Sequence, residues 1–411
     1  MDSIPSDVHK IRAGWLIDGT GCPALKDVLI EFKGERIFAI RPSIPSLTET
    51  GDIFDHRDCT LIPGLIDSHV HIFMSGTEDM EIRKHQLEAE FSEARNVISM
   101  HLKQHLSFGV VGVRDGGDHF AHALCYKLEK DSENLLPIIL HTAGRAWHKA
   151  GRYGSLIGRP TTGNETLAEG IVQNKHGIDH VKIVNSGINS LIRFGKETLP
   201  QFGLGELKDA VGAAKQIGLP VMVHSNGRIP TQIAVAAGCR SIEHGFFMGK
   251  ENMERMRDEN LVWIPTACTM KAFADPMRKG FLISGISRDV SQRTLDHQME
   301  QIQYAGRIGL TIAVGTDSGS IGVHHGRSIM DELSILVDAG FSIEEAICCA
   351  ARNGARLLGI DNLGWIAPGK SATFAVVMGN PSQLPQSLER ICALYIRGVN
   401  YPGQGFFCNS G

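Results

Sequence analysis

The sequence predicts an α/β protein: a (β/α)8 barrel of the TIM type with a small β-sandwich-like domain built from both termini. Three observations carry this expectation. Short apolar runs alternate with helical patterns eight times between residues 64 and 339. Those runs are continuous Val/Ile/Leu stretches, as expected of parallel strands covered on both faces. The first 60 residues and the last 50 are instead strand-rich and broken by Gly and Pro. The expected boundaries are residues 1–62 and 362–411 for the two parts of the small domain, and 63–361 for the barrel. A doubly wound open sheet is the competing arrangement. It would carry a Gly-rich phosphate loop after the first strand, and none is there.

In chain order, WLIDG (15–19), DVLIEFKGERIFAIRP (27–42) and DCTLIPG (58–64) read as β-type runs, with FKGER as a hairpin turn. Barrel strands are expected in GLIDSHVHI (64–72), VVGVRDG (110–116), LPIILHTAG (136–144) and HVKIVNSG (180–187). They continue in LPVMVHSNG (219–227), CRSIEHG (239–245), LVWIPTA (261–267) and LTIAVGTDSG (310–319). Helical pattern separates them at 79–107, 118–130, 165–176, 204–217, 229–237, 249–259 and 287–308, and 328–339 follows the last. The small residues of GLP (218–220) and AAGC (236–239) suit helix ends. The mixed charges of 77–95, at helical spacing, read as a solvated helix face. Strand character returns in GWIAPGK (364–370), SATFAVVMG (371–379) and ICALYIRGV (391–399).

Of the 411 residues, 42% are hydrophobic and 21% charged, enough apolar content for a large core. A net charge of -4 argues against a nucleic-acid binder and offers no polybasic membrane patch. No stretch of about 18 apolar residues occurs to span a membrane. The N-terminal MDSIPSDVHKIRAG lacks a signal-peptide pattern. The nine cysteines, an odd count without Cys-x-x-Cys, fit a reducing cytoplasm better than a disulfide framework. The expected partner is a small-molecule substrate. Oligomeric state stays open, a homo-oligomer included.

In such a barrel the chemistry lies where strands end and loops begin. The first strand end offers His69 and His71, which as residues i and i+2 point to one side. The fourth offers Lys182, the fifth His224, the sixth His244 and the eighth Asp317. Strand ends two, three and seven offer Arg114 and Asp115, His141, and Thr266. Each residue has a bland reading alone: a structural histidine, a snorkelling lysine, a turn-capping aspartate. Together, four His, one Lys and one Asp at five of eight predicted strand ends have no packing rationale. Imidazole and carboxylate are ligands for Zn²⁺ or a similar divalent ion. A lysine among cations and away from water loses its proton more readily. The neutral amine can add CO₂ to form a carbamate able to bridge two metals. The alternative is an unmodified lysine beside one metal.

The motif LIPGLIDSHVHI (61–72), followed in order by VKIV, VMVHSNG, SIEHG and VGTDSG, resembles the amidohydrolase superfamily, metal-dependent hydrolases related to urease and imidazolonepropionase. IAPGKSATFAVVMGNP (366–381) resembles its C-terminal β-domain signature, with Ala372-Thr373-Phe374 replacing the usual Ala-Asp-Leu. The pattern looks closest to the imidazolonepropionase-like and prolidase-like branch. That resemblance implies two metals, most simply Zn²⁺: His69 and His71 at the more buried one with Asp317 beside it, His224 and His244 at the second, and carboxylated Lys182 between. It also implies a water between the metals as nucleophile and Asp317 as proton shuttle to the leaving nitrogen. The implied reaction is hydrolysis of an amide or peptide-like C–N bond. A one-metal deaminase or a hydrolase of a cyclic amide is the alternative, and a non-enzymatic scaffold is disfavoured by the complete ligand set.

For substrate, the loop after strand three (144–160) supplies Arg145, His148, Arg152, Tyr153 and Arg159 near the rim, with His141 at the strand end. Its arginines suit a carboxylate, though a basic surface loop has the same composition. Where prolidase-like relatives often carry a Tyr, this chain reads Ser225-Asn226-Gly227. His324 and His325 are read as lining the mouth or as an exposed pair.

Overall fold

The computed structural model describes residues 8–43, 53–133, 137–276 and 286–401. Cys408 and the first seven residues of the N-terminal segment therefore lie outside the described residues. Among the described residues, no helix is long and apolar enough to cross a membrane.

The small domain begins with β1 (Val8–Leu16), β2 (Leu25–Lys33), β3 (Arg36–Pro42) and β4 (Ile53–Pro63). Next come β5 (Leu65–Val70), β6 (Val110–Asp115), β7 (Ile139–Thr142), β8 (Ala146–Trp147) and β9 (Gly158–Arg159). They are followed by β10 (Val181–Val184), β11 (Val221–Ser225), β12 (Ser241–His244) and β13 (Val262–Ile264). The chain then returns to the small domain with β14 (Phe374–Met378), β15 (Ile391–Ile396) and β16 (Val399–Tyr401). Both termini do build the small domain, in one sheet of order β16-β15-β14-β4-β1-β2-β3. The expected sandwich-like pair of layers is thus a single seven-stranded sheet. Its two arms face each other: Phe32 on β2 lies edge-on to Phe374 at 5.7 Å and to Tyr395 at 5.5 Å. A core of Ile11, Ile30, Phe32, Leu61, Phe374 and Val376 fills the space between them.

The middle of the chain is of the TIM-barrel type, parallel strands alternating with helices. Its strands lie in two arcs, β5-β6-β7 and β13-β12-β11-β10-β8-β9. The eighth expected strand, 310–319, joins its neighbours only by isolated bridges, Ile312 to Trp263 and Ser318 to Val70. Gly315 and the left-handed Asp317 (φ 58°) interrupt the extended backbone a ladder needs. Hydrogen bonds still tie the segment on both sides, from Trp263 N to Thr311 O (3.0 Å) and from Ser68 N to Val314 O (2.8 Å).

Helices follow the strands closely as expected, with one division. The predicted helix 79–107 is α1 (Met80–Glu88) and α2 (Phe91–Ser107), separated by extended Ala89 and Glu90. α2 buries Ala94, Ile98, Leu102 and Leu106 at i, i+4 spacing, whereas α1 buries none of its residues fully. Ending the packed helix at Phe91 leaves α1 free to take another course. The helix expected at 118–130 is α3 (His122–Glu133), between β6 and β7; it starts later because Asp118 precedes it and accepts from His122 N and Ala123 N. Two further short helices, Cys268–Ala274 and Ile343–Cys348, escaped the sequence reading.

Candidate metal centre

The strand ends converge. His69 lies on β5 and is fully buried, and His71 follows one residue past that strand. Lys182 is on β10, His224 on β11, and His244 ends β12. Ring centroids run 5.6 Å from His69 to His71, 4.9 Å from His69 to His244 and 4.6 Å from His224 to His244. Lys182 Nζ is 3.4 Å from His69 Nε2. Asp317 Oδ1 is 3.5 Å from both His69 Nε2 and His71 Nε2. One donor atom from each of His69, His71 and Asp317 falls within 4.8 Å of the others. All six candidates therefore meet at one place.

The outer nitrogens are held so that the inner ones face this point. Glu243 Oε2 lies 2.7 Å from His69 Nδ1, and its Oε1 accepts from Arg114 at 2.8 Å and from Ser241 Oγ at 2.5 Å. Arg114 also donates to Ser68 O at 2.8 Å. His71 Nδ1 donates to Gly117 O (3.0 Å), and His224 Nε2 to Gly187 O (3.2 Å). His244 Nδ1 meets Thr266 Oγ1 at 2.7 Å. Such partners fix tautomer and ring orientation in metal-binding histidines.

Local backbone strain appears at the same rim. His244, Thr266 and Asp317, on three successive strand ends, all have positive φ, 69°, 48° and 58°. Non-glycine residues hold that conformation only where their surroundings enforce it. For His244 the enforcement is visible: its carbonyl accepts from Trp263 Nε1 (3.0 Å) and Gln298 Nε2 (2.7 Å).

Electrostatics favour the ligand forms. Burial, reinforced by neighbouring cations, pushes His71 down to about 4 and His224 down to about 3, and holds His69 and His244 well below the usual imidazole range. All four are neutral near pH 7, as coordination requires. Burial likewise lowers Lys182 to about 8, against the pull of the Glu243 and Asp317 carboxylates. Burial raises Asp317 to about 7, opposed by Lys182. A cation at this point would reverse that rise. The donor set, two oriented imidazoles and a carboxylate whose inner atoms face one point, fits a divalent metal.

A cavity of about 220 Å³ opens over these residues. His71, Lys182, His224, His244 and Asp317 form its polar end. Phe73, Leu87, Leu156, Ile157, Leu191, Phe246, Met270 and Phe273 line the rest. Of the substrate residues expected from sequence, Tyr153 lines the cavity, its ring 5.4 Å from that of His224. His141, Arg145, His148 and Arg152 are absent from the lining. Arg145 is exposed, Arg152 donates to Leu199 O, and His148 Nδ1 donates to Lys149 O. Arg159 lies over the Trp147 ring at 4.3 Å. His325 is neither exposed nor at the mouth: it is buried, stacked on His101 at 4.0 Å, and bonded to Met74 O and Ser318 Oγ.

Sequence reasoning passed over Glu243 and Arg83. For Glu243 a signal existed, a charged residue inside the apolar run SIEHG. Arg83 sat in a helix read as a solvated face, and only the turn of α1 over the cavity brings it inward.

Comparison with known proteins agrees with this geometry. Ochratoxinase of Aspergillus niger is 26% identical over 384 residues, covering 84% of this chain and 75% of the relative. Imidazolonepropionase of Porphyromonas gingivalis is 23% identical over 396 residues, 88% of this chain and 84% of the relative. A solved Xaa-Pro dipeptidase with bound methionine in its active site superposes with a TM-score of 0.82 and 27% identity, covering 96% of this chain and all of that one. Residues 60–398 match the amidohydrolase family model. The chain belongs to the amidohydrolase family, and it is an enzyme, a hydrolase acting on carbon–nitrogen bonds.

Proposed function

We propose that this enzyme is a binuclear metal hydrolase of an amide or peptide-like C–N bond in a small molecule. The observation that carries the reading is the meeting of His69, His71, Lys182, His224, His244 and Asp317 around one point, the last five lining the polar end of one cavity and His69 buried behind them. The two strand arcs and the segment 310–318 are read as one eight-stranded barrel, residues 63–361, that displays them. His69, His71 and Asp317 would hold one divalent ion, most simply Zn²⁺. His224 and His244 would hold a second. A pair of such ions supplies Lewis acidity, which activates water and polarises a carbonyl.

Lys182 suits the bridging position as a carbamate. It is 1% exposed, and its amine is already biased towards the neutral form that reacts with CO₂. Asp317 places Oδ1 or Oδ2 in reach of the reacting centre, where either can accept and release a proton. Ser320 Oγ donates to Oδ2 at 3.1 Å, leaving Oδ1 turned to the histidines. A carboxylate so placed takes a proton from water and returns it to the leaving nitrogen. The apolar wall excludes water and receives the bulk of the substrate, with Tyr153 beside His224. Eight cysteines among the described residues form no disulfide with one another, which supports a reducing setting such as the cytoplasm.

One observation favours a single-metal alternative, a deaminase or cyclic-amide hydrolase: the compact donor set comprises only His69, His71 and Asp317. Metal analysis separates the two, at two ions per chain or one. The activity is tested on metal-replete enzyme with N-acyl amino acids, dipeptides, lactams and cyclic ureas. Hydrolysis of the open-chain amides, abolished by chelator and restored by metal, is expected. Turnover in fully demetallated protein would falsify the proposal.

A further inference from the structure

Among the residues lining the cavity, three carry a formal charge besides the histidines: Lys182, Asp317 and Arg83. The first two belong to the candidate metal centre. Arg83 comes from α1, which also supplies the apolar Leu87 to the lining. Its NH1 donates to Ser75 O at 2.6 Å and to Gly319 O at 3.0 Å. Those carbonyls lie in the loops that carry His71 and Asp317, so the guanidinium is fixed relative to the reacting centre. Among the described residues its Nε and NH2 have no hydrogen-bond partner, and no carboxylate lies within ion-pair distance.

A guanidinium drawn out of water loses hydration that two carbonyl contacts do not fully replace. Burial accordingly lowers its pKa, and Asp317 offsets only part of the change. A structural cation in this setting is ordinarily matched by an anion, and among the described residues the charge that reaches Arg83 is that of Asp317, which belongs to the candidate metal centre. The free edge of an arginine matches a carboxylate in two parallel hydrogen bonds. Leu87, one helical turn along α1, continues the apolar wall with Leu156, Ile157 and Phe273.

We propose that Arg83 is the carboxylate anchor of this cavity, which makes the preferred substrates apolar amides that carry a carboxylate away from the scissile bond. This deepens the amide-hydrolase reading and assigns the anionic subsite to the helix after the first barrel strand, not to the arginines of the 144–160 loop.

The test is binding of ligands that cannot be cleaved, so its outcome is independent of amide hydrolysis. Metal-replete full-length protein is titrated calorimetrically with 3-phenylpropionate and with the neutral 3-phenyl-1-propanol, neither of which has a hydrolysable bond. Losing a charge-assisted pair weakens binding by roughly 10–100-fold. Arg83→Ala is expected to lose that much affinity for the carboxylate and almost none for the alcohol. Arg83→Lys should retain an intermediate preference. Should Arg83→Ala fail to fold, Arg83→Gln, which keeps a donor for the two carbonyls, is expected to show the same selective loss. An equal fall for both ligands would make Arg83 a loop clamp and overturn the proposal. An undiminished carboxylate preference would also overturn it, placing the anion on the metals.

Discussion

Glu243→Gln is the perturbation that reads the support of the site most clearly. Glu243 is fully buried between His69 Nδ1 at 2.7 Å and the Arg114 guanidinium at 2.8 Å, whose side chain is 4% exposed. The amide keeps the shape but removes the charge. Breaking a buried ion pair costs about 3–5 kcal/mol when the other ion stays behind. Glutamine retains one oxygen for Arg114, so the lower end, about 3 kcal/mol, is expected. The new amide N–H faces His69 Nδ1 and selects the tautomer with its proton on Nε2, the atom turned towards Asp317. Metal affinity should then fall about 10–100-fold, the usual effect of losing such an orienting partner. Denaturant unfolding of the metal-free protein reads the first effect, and competitive metal titration reads the second. Stability within about 0.5 kcal/mol of wild type, with unchanged metal affinity, would refute the reasoning.

Asp317→Asn should keep most of the bound metal while turnover drops about 10²–10⁴-fold; near-normal turnover would remove Asp317 as the proton carrier. Lys182→Ala should lose metal and recover part of it, with activity, when a small carboxylic acid is added. Full occupancy without the acid would rule out a bridging carbamate. Gly116→Ala places a methyl 2.7 Å from His71 Cε1, closer than carbon atoms approach. Displacing that ring by about 1 Å should lower turnover roughly 10²-fold with little change in stability, and unaltered kinetics would show that His71 has slack.

Much of this was legible from residue types and spacing. A strand residue's side is set by its parity, so His69 and His71 could be placed together, and strand–helix alternation placed Lys182, His224 and His244 on the same rim. Helix limits came within a few residues because the burial stripe and the small-residue ends coincide in α2 and in Leu204–Gln216. The break at Ala89 was not visible, since nothing in the charge pattern of 77–95 distinguishes a helix lying on solvent from one turned across a cavity. Arg83 was hidden for the same reason. The arginines of 144–160 were chosen for nearness along the chain, but Arg152 and Arg159 meet Leu199 O and Trp147 instead. Their direction depends on loop conformation, which side-chain periodicity does not encode. The eighth strand was recognised from its apolar run, yet its pairing is sparse because Gly315 and the left-handed Asp317 serve the site before the ladder.

The central claim is that side chains from five strand ends share one cationic centre. Anomalous diffraction at the zinc edge, on crystals of the metal-replete enzyme, tests it most directly. The predicted result is two peaks, one about 2.0–2.2 Å from the Nε2 atoms of His69 and His71 and the other at that distance from imidazole nitrogens of His224 and His244. Metal bound elsewhere, or these histidines left without metal in an active enzyme, would contradict the account.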